Sequence, residues 1–293
     1  MRPEWYEFSA ISQRPRFEWP HGARVAVIFT INVETWDLER GMYQGGPEVL
    51  PFPLPDGAVD VPNYGWREYG HRVGFWRLAQ TLDALGIPAS CTLNALVPER
   101  IPALGEAIKQ RGWEYVGHSL RQSALPAHCP DRESERALIR ESLDRLATTM
   151  GAAPRGWLST SVAGSIHTPE LLVEAGLEYY CDFCNDDQPY LMQVGGRPLV
   201  SIPYSIELND YPIYIRGGHL PSGFVEVVCS AFDTIYAESA DGGRLFNIGV
   251  HPHVTGQPHR IGALRQVLGY IKSQPGVWFA SRGEIADWML CLR

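Results

Sequence analysis

The sequence predicts an α/β fold, a (β/α) barrel of seven or eight strands that occupies residues 1–293 as a single domain. Three observations carry this. Short apolar, β-branched segments recur along the chain, segments of helical period separate most of them, and glycine stands just past the ends of several helical segments. A single barrel, often about 250 residues long, fits this alternation better than two domains do. No Gly-x-Gly-x-x-Gly follows any of the strands, so no nucleotide cofactor is expected.

The first strand is Arg24–Thr30, a continuous apolar run after the Pro20/Gly22 turn, as a strand buried on both faces requires. Further strands are expected at 88–93, 113–117, 155–158, 177–181, 199–202, 246–250 and 277–280. Helices are expected over 73–85, 101–111 and 132–150, closed by Gly86, Gly112 and Gly151. Thr168-Pro169 opens another, since proline in the first turn sacrifices no helical hydrogen bond. Three more are expected over 222–237, 261–273 and 282–290. Residues 41–65 break the pattern with Pro47, Pro51, Pro53, Pro55 and Pro62, and read as a long loop. Because it follows the first strand, it is expected over the barrel mouth, as a lid, a binding loop or a surface insertion.

Composition narrows the function. The chain has 25 Lys+Arg against 33 Asp+Glu, a net charge of −8, and no basic cluster, which argues against nucleic acid as a partner. No apolar run approaches the roughly 20 residues of a membrane span, and the start lacks the apolar stretch of a secretory signal. A cytoplasmic protein with a small-molecule partner is expected, its six scattered cysteines mostly reduced.

Side chains alternate along a strand, so Asn32 and Glu34 at the end of the first strand point to the same side. His118 ends the third, with Gln122 four residues on, and His251-Pro252-His253 ends the strand over 246–250. Arg155, Asp182, Asp186, Asp187 and Asp210 lie in or just after others. Polar groups gathered at the same ends of several strands are how barrel active sites are built. Glu34, His118 and His251 or His253 would make a one-carboxylate, two-imidazole set suited to Zn²⁺ with an open water position. In the alternative no metal binds, and the histidines serve as acid, base or hydrogen-bond donors.

With these segments in place, the chain resembles the polysaccharide-deacetylase (NodB-homology) superfamily over nearly its whole length, and within it the branch of deacetylase-type allantoinases and cyclic imide hydrolases. The resemblance rests on Arg24 to Val27 with Asn32-Val33-Glu34, the stretch from Glu68 to Gly74, Gly117-His118, Arg155-Gly156-Trp157, Asn185 to Pro189, Ile202 to Asp210 and Val250 to Arg260. Length and the Val250-His251-Pro252-His253 segment are most similar to bacterial cyclic imide hydrolases.

The resemblance implies a metal-binding site at Glu34, His118 and a third position, with Gln122 where the deacetylases have a second histidine. It also implies a catalytic histidine at His251 and a catalytic arginine at Arg155. Arg72, Trp157, Asn209 and Asp210, with Asn32, are implied in substrate recognition, and a homo-oligomer is implied. Asn32 replaces the deacetylases' general-base aspartate and cannot act as a base. That favours a carbonyl more electrophilic than an acetamide's, so the expected reaction opens a small cyclic imide, of the succinimide or maleimide type, to its half-amide. The alternatives are hydantoin-ring hydrolysis of allantoin, N-deacetylation of a polysaccharide or peptidoglycan, and a catalytically inactive saccharide binder that stacks sugars on Trp36, Trp66 and Trp157.

Overall fold

β1 (Val25–Val33) is buried along its whole length and forms the spine of the sheet. Its odd-numbered residues, Val25, Val27, Phe29, Ile31 and Val33, pack against the helical layer, where full burial of each such side chain is worth about 1.5–3 kcal/mol. Ala26 and Ile28 join a second apolar cluster with Val116, Leu158 and Tyr179 from other strands. Thr30 and Asn32 continue that face but bond to polar partners from other strands, so it turns from apolar to polar toward the C-terminal end. These are features of a computed structural model that describes residues 5–38 and 58–292.

The chain continues through α1 (Val61–Tyr69), a π-helical turn at Gly70–Gly74 and α2 (Phe75–Leu85), then β2 (Ser90–Leu93), α3 (Leu96–Arg100), α4 (Pro102–Gln110) and β3 (Glu114–Gly117). Next come α5 (Arg132–Met150), β4 (Gly156–Trp157), α6 (Thr168–Glu174), β5 (Tyr179–Tyr180) and the hairpin of β6 (Tyr190–Val194) and β7 (Arg197–Ser201). A second π-helical turn at Tyr211–Arg216 leads to α7 (Pro221–Glu238), β8 (Arg244–Val250), α8 (Ile261–Lys272), β9 (Val277–Phe279) and α9 (Arg282–Cys291).

The sheet runs β6-β7-β5-β4-β3-β2-β1-β8, with β9 paired to the start of β1. All pairings are parallel except β6 with β7. The result is a curled mixed sheet forming a half-barrel, the NodB-type version of the expected (β/α) barrel. At the gap the described residues show only a bridge between Asn209 and Gly249 where a strand pairing would close the ring.

Two expectations are corrected. The loop over 41–65 ends earlier, because Asp60 caps α1 by accepting the Asn63 N–H and Pro62 sits in its first turn, so 61–65 are helical. Residues 41–57 lie outside the described residues. β6 was not expected at all. It is antiparallel, joined to β7 through Gly195-Gly196, both at positive φ, as a two-residue hairpin turn requires.

Candidate active site

Glu34, one residue past β1, is buried at the floor of a ≈ 490 Å³ cavity at the C-terminal ends of the strands. His118, just after β3, places Nε2 3.4 Å from Glu34 Oε1, and His251, just after β8, places Nε2 3.7 Å from the same oxygen. The structure thus brings together three expected residues from three strands.

Each imidazole is held from behind. His118 Nδ1 donates to the Leu158 carbonyl at 2.6 Å, which leaves Nε2 facing the cavity with no hydrogen-bond partner. Asp210, fully buried, accepts from His251 Nδ1 at 2.7 Å, from the His251 backbone N–H at 2.8 Å and from the Thr255 hydroxyl at 2.6 Å. It fixes the ring with Nε2 toward Glu34. Burial opposes a charge on His251, but Glu34 and Asp210 on either side outweigh it and raise its pKa to about 10. Burial would likewise push the Glu34 carboxyl up, yet the facing charge of His251 holds it well below the usual carboxylate range. At neutral pH the floor is a carboxylate facing an imidazolium. His253 differs: burial and the neighbouring His251 push it well below its ordinary value, and it sits neutral against the edges of Trp36 and Trp66.

The π-helical turn supports this floor. Its His71 bonds the Glu34 backbone carbonyl through Nε2 at 2.6 Å and Glu68 through Nδ1 at 2.9 Å. A Cβ on Gly74 would lie 2.0 Å from the Pro252 carbonyl oxygen, so only glycine lets this turn seat against the His251–His253 segment. A Cβ on Gly249 would come within 2.3 Å of the Tyr204 hydroxyl, and glycine there admits the tyrosine ring. The Tyr204 oxygen accepts from Asn32 Nδ2 at 3.1 Å and Asn209 Nδ2 at 2.7 Å. Asn32 Oδ1 accepts from Thr92, and Asn209 Oδ1 accepts from the Tyr211 N–H. Both amides hold Tyr204, whose own proton is not used in these bonds, and both residues line the cavity.

The remaining expected residues separate. Gln122 lines the cavity with a buried, unpartnered Oε1, and Asp182 lines it while accepting from the Ser159 N–H and the Tyr180 hydroxyl. Asp210 does not face the cavity; it works through His251. Arg155 precedes β4 and so lies at the opposite end of the sheet, where it pairs with Glu178 and Asp287. Trp157 is fully buried behind Gly117 and has no ring face for a substrate, and Arg72 is exposed outside the cavity. Asp186 pairs with Arg14 at 2.7 Å, and Asp187, like Asp186, lines a separate hollow. Among the cavity residues that the sequence reading missed are Arg67 of α1, Arg216 and Tyr204, along with the supporting His71.

A zinc centre requires at least three deprotonated protein ligands converging on one point. Among the described residues no three His, Cys, Asp or Glu side chains are so arranged. The expected Glu34–His118–His251 set, with His253 or Gln122 as substitutes, is therefore not assembled as such a centre here.

No family model matches the chain. A Schizosaccharomyces pombe protein assigned by name to the polysaccharide deacetylases is 29% identical over 296 residues, covering 92% of this chain and 91% of that protein. The crystal structure of Puue allantoinase superposes with a TM-score of 0.86 at 29% identity, covering 94% of this chain and 93% of that one. A Pseudomonas aeruginosa PAO1 structure, again assigned by name to the polysaccharide deacetylases, has a TM-score of 0.85 at 28% identity and covers 94% of both chains. These likenesses support the polysaccharide-deacetylase superfamily. The superfamily's fold is the half-barrel described above. Among the described residues, no helix is long and apolar enough to cross a membrane.

Proposed function

We propose that this site hydrolyses a ring C–N bond in a small cyclic imide, giving the half-amide. The observation that carries the reading is the Glu34 carboxylate flanked by His118 Nε2 and His251 Nε2 at 3.4 and 3.7 Å, one imidazole offering a lone pair and the other a proton.

In this reading a water donates one hydrogen toward His118 Nε2 and the other toward Glu34, and its oxygen attacks an imide carbonyl. His118 takes the proton as the C–O bond forms. The carbonyl electrons move onto oxygen, where the charged His251 Nε2–H and the Tyr204 hydroxyl are the donors. When the tetrahedral centre collapses the ring C–N bond breaks, nitrogen takes the His251 proton and becomes the amide NH₂, and the new carboxylic acid loses its proton. The proton held by His118 then returns to His251, and the proton of the acid leaves to solvent, so both imidazoles regain their starting states.

Asn32 argues for an imide over an acetamide. Its amide bonds Tyr204 and Thr92, so it neither takes a proton nor adds a second negative charge beside Glu34. An imide carbonyl is more electrophilic because its nitrogen serves two acyl groups, and its nitrogen leaves with part of its charge delocalised. Hydrolysis of a hydantoin-type ureide is the second reading, favoured by the likeness to an allantoinase at 29% identity. The saccharide-binder alternative loses Trp157, which is inside the core. A hydrolysis panel of succinimide, maleimide, hydantoin, allantoin and an N-acetylglucosamine oligomer tests the reading. Turnover of the imides supports it; acetate release alone or allantoin turnover alone overturns it.

A further inference from the structure

Arg67 is 4% exposed, yet among the described residues it forms no ion pair. It rises from α1 into the cavity wall with its guanidinium 4.9 Å from the Trp36 ring centre and 5.7 Å from that of Trp66. Its Nη1 bonds the side-chain and backbone oxygens of Asn63. Nε is buried with no partner, and no described residue accepts from Nη2.

An uncompensated buried cation is costly, by several kcal/mol in a medium that excludes water. Neutral packing does not need one. Contact with two indole rings orients the guanidinium, and Asn63 occupies one side of it, which leaves the Nε–Nη2 edge unpaired. That edge is the two-donor fork that matches the two oxygens of a carboxylate.

We propose that the substrate carries a carboxylate beside the scissile ring and that Arg67 receives it. This rests on the ring-hydrolysis reading and names the substrate class within it: a carboxylated cyclic imide or ureide. A phosphate fits less well, because Glu34 and Asp182 face the same cavity and repel a dianion more strongly than a monoanion. The exposed Arg216 at the rim draws an anionic substrate inward without fixing it.

The test compares succinimide with 3-carboxymethylsuccinimide on the purified full chain and on Arg67→Gln and Arg67→Lys. The wild type is expected to favour the carboxylated ring by at least about tenfold in kcat/KM, chiefly through KM, the scale of one charge-assisted hydrogen bond. That ratio is expected to fall near unity in Arg67→Gln and to recover in part in Arg67→Lys. A wild-type ratio near unity overturns the proposal, as does a preference that survives in Arg67→Gln. The wild-type ratio decides even if the glutamine variant fails to fold, which thermal melting would show. If neither ring is opened, the hydrolysis reading has failed, and calorimetry with succinate and with neutral succinamide judges Arg67 alone. Succinate binding that exceeds succinamide binding and is weakened about tenfold by Arg67→Gln supports the anion site. No succinate binding, or equal binding by wild type and variant, overturns it.

Discussion

Replacing Asp210 by asparagine removes the charge that holds His251 without emptying the space. Asp210 accepts three hydrogen bonds, two of them from His251 itself. An asparagine there presents one acceptor oxygen and an NH₂ that opposes the donors. The lost charge-assisted bond is worth about 1.5–3 kcal/mol. At 1.36 kcal/mol per pH unit, the His251 pKa falls by about 1–2 units from its value near 10, with Glu34 still supporting the rest. The alkaline limb of the kcat profile for imide hydrolysis therefore moves down by the same amount. At pH 7 kcat drops by about 10²-fold or more, because Nδ1–H loses its partner and the ring is no longer held in the productive orientation. The assay is kcat against pH from 6 to 11 with parallel NMR titration of the His251 ring. An alkaline limb that stays in place, with kcat within about threefold of wild type, would refute the reasoning.

Three other outcomes follow from the same structure. Gly74→Ala forces a methyl group onto the Pro252 carbonyl at 2.0 Å, so it is expected to destabilise the fold by about 1–3 kcal/mol, and to lower kcat by displacing His251; melting temperature and kcat together check this. Arg155→Ala breaks surface pairs with Glu178 and Asp287, so imide turnover should hold and stability should change by about 1 kcal/mol or less; a collapse of kcat would return Arg155 to the catalytic set. The Glu34–His251 pair sets a pH window. The raised His251 pKa contributes stability that is complete below its ordinary 6.5 and is lost as pH rises toward about 10. The lowered Glu34 pKa contributes stability that is complete above its ordinary 4.5 and is lost as pH falls. The melting-temperature difference between wild type and Glu34→Gln should thus peak between pH 4.5 and 6.5 and shrink toward pH 10. A difference that grows above pH 8 contradicts this.

The legible parts of the site were those fixed by position on a strand. Glu34, His118 and His251 each stand at the C-terminal end of a strand whose apolar run is plain, and the barrel geometry then brings them together. Asn32 shares the side of Glu34 by simple alternation. Arg155 shows the limit of that logic: it borders a strand too, but at the N-terminal end, and so faces away. Arg67 and His71 were missed because the prolines before them suggested loop, while a single capping aspartate, Asp60, starts the helix that aims them. That capping signal was present in the sequence. Tyr204 was not legible as a site residue, since its place depends on a glycine on β8 some 45 residues away and on two asparagines from other segments. β6 was overlooked because it is a partly exposed strand whose pairing depends on the Gly195-Gly196 turn, not on burial.

The central proposal is that Glu34, His118 and His251 perform imide hydrolysis as an acid–base set that needs no metal. It is tested most directly by the succinimide turnover of the purified protein before and after exhaustive treatment with a chelator, alongside His251→Ala. The account predicts turnover that the chelator leaves unchanged and that His251→Ala lowers by about 10²-fold or more with the fold intact. Turnover abolished by the chelator and restored by zinc, or undiminished in His251→Ala, would contradict it.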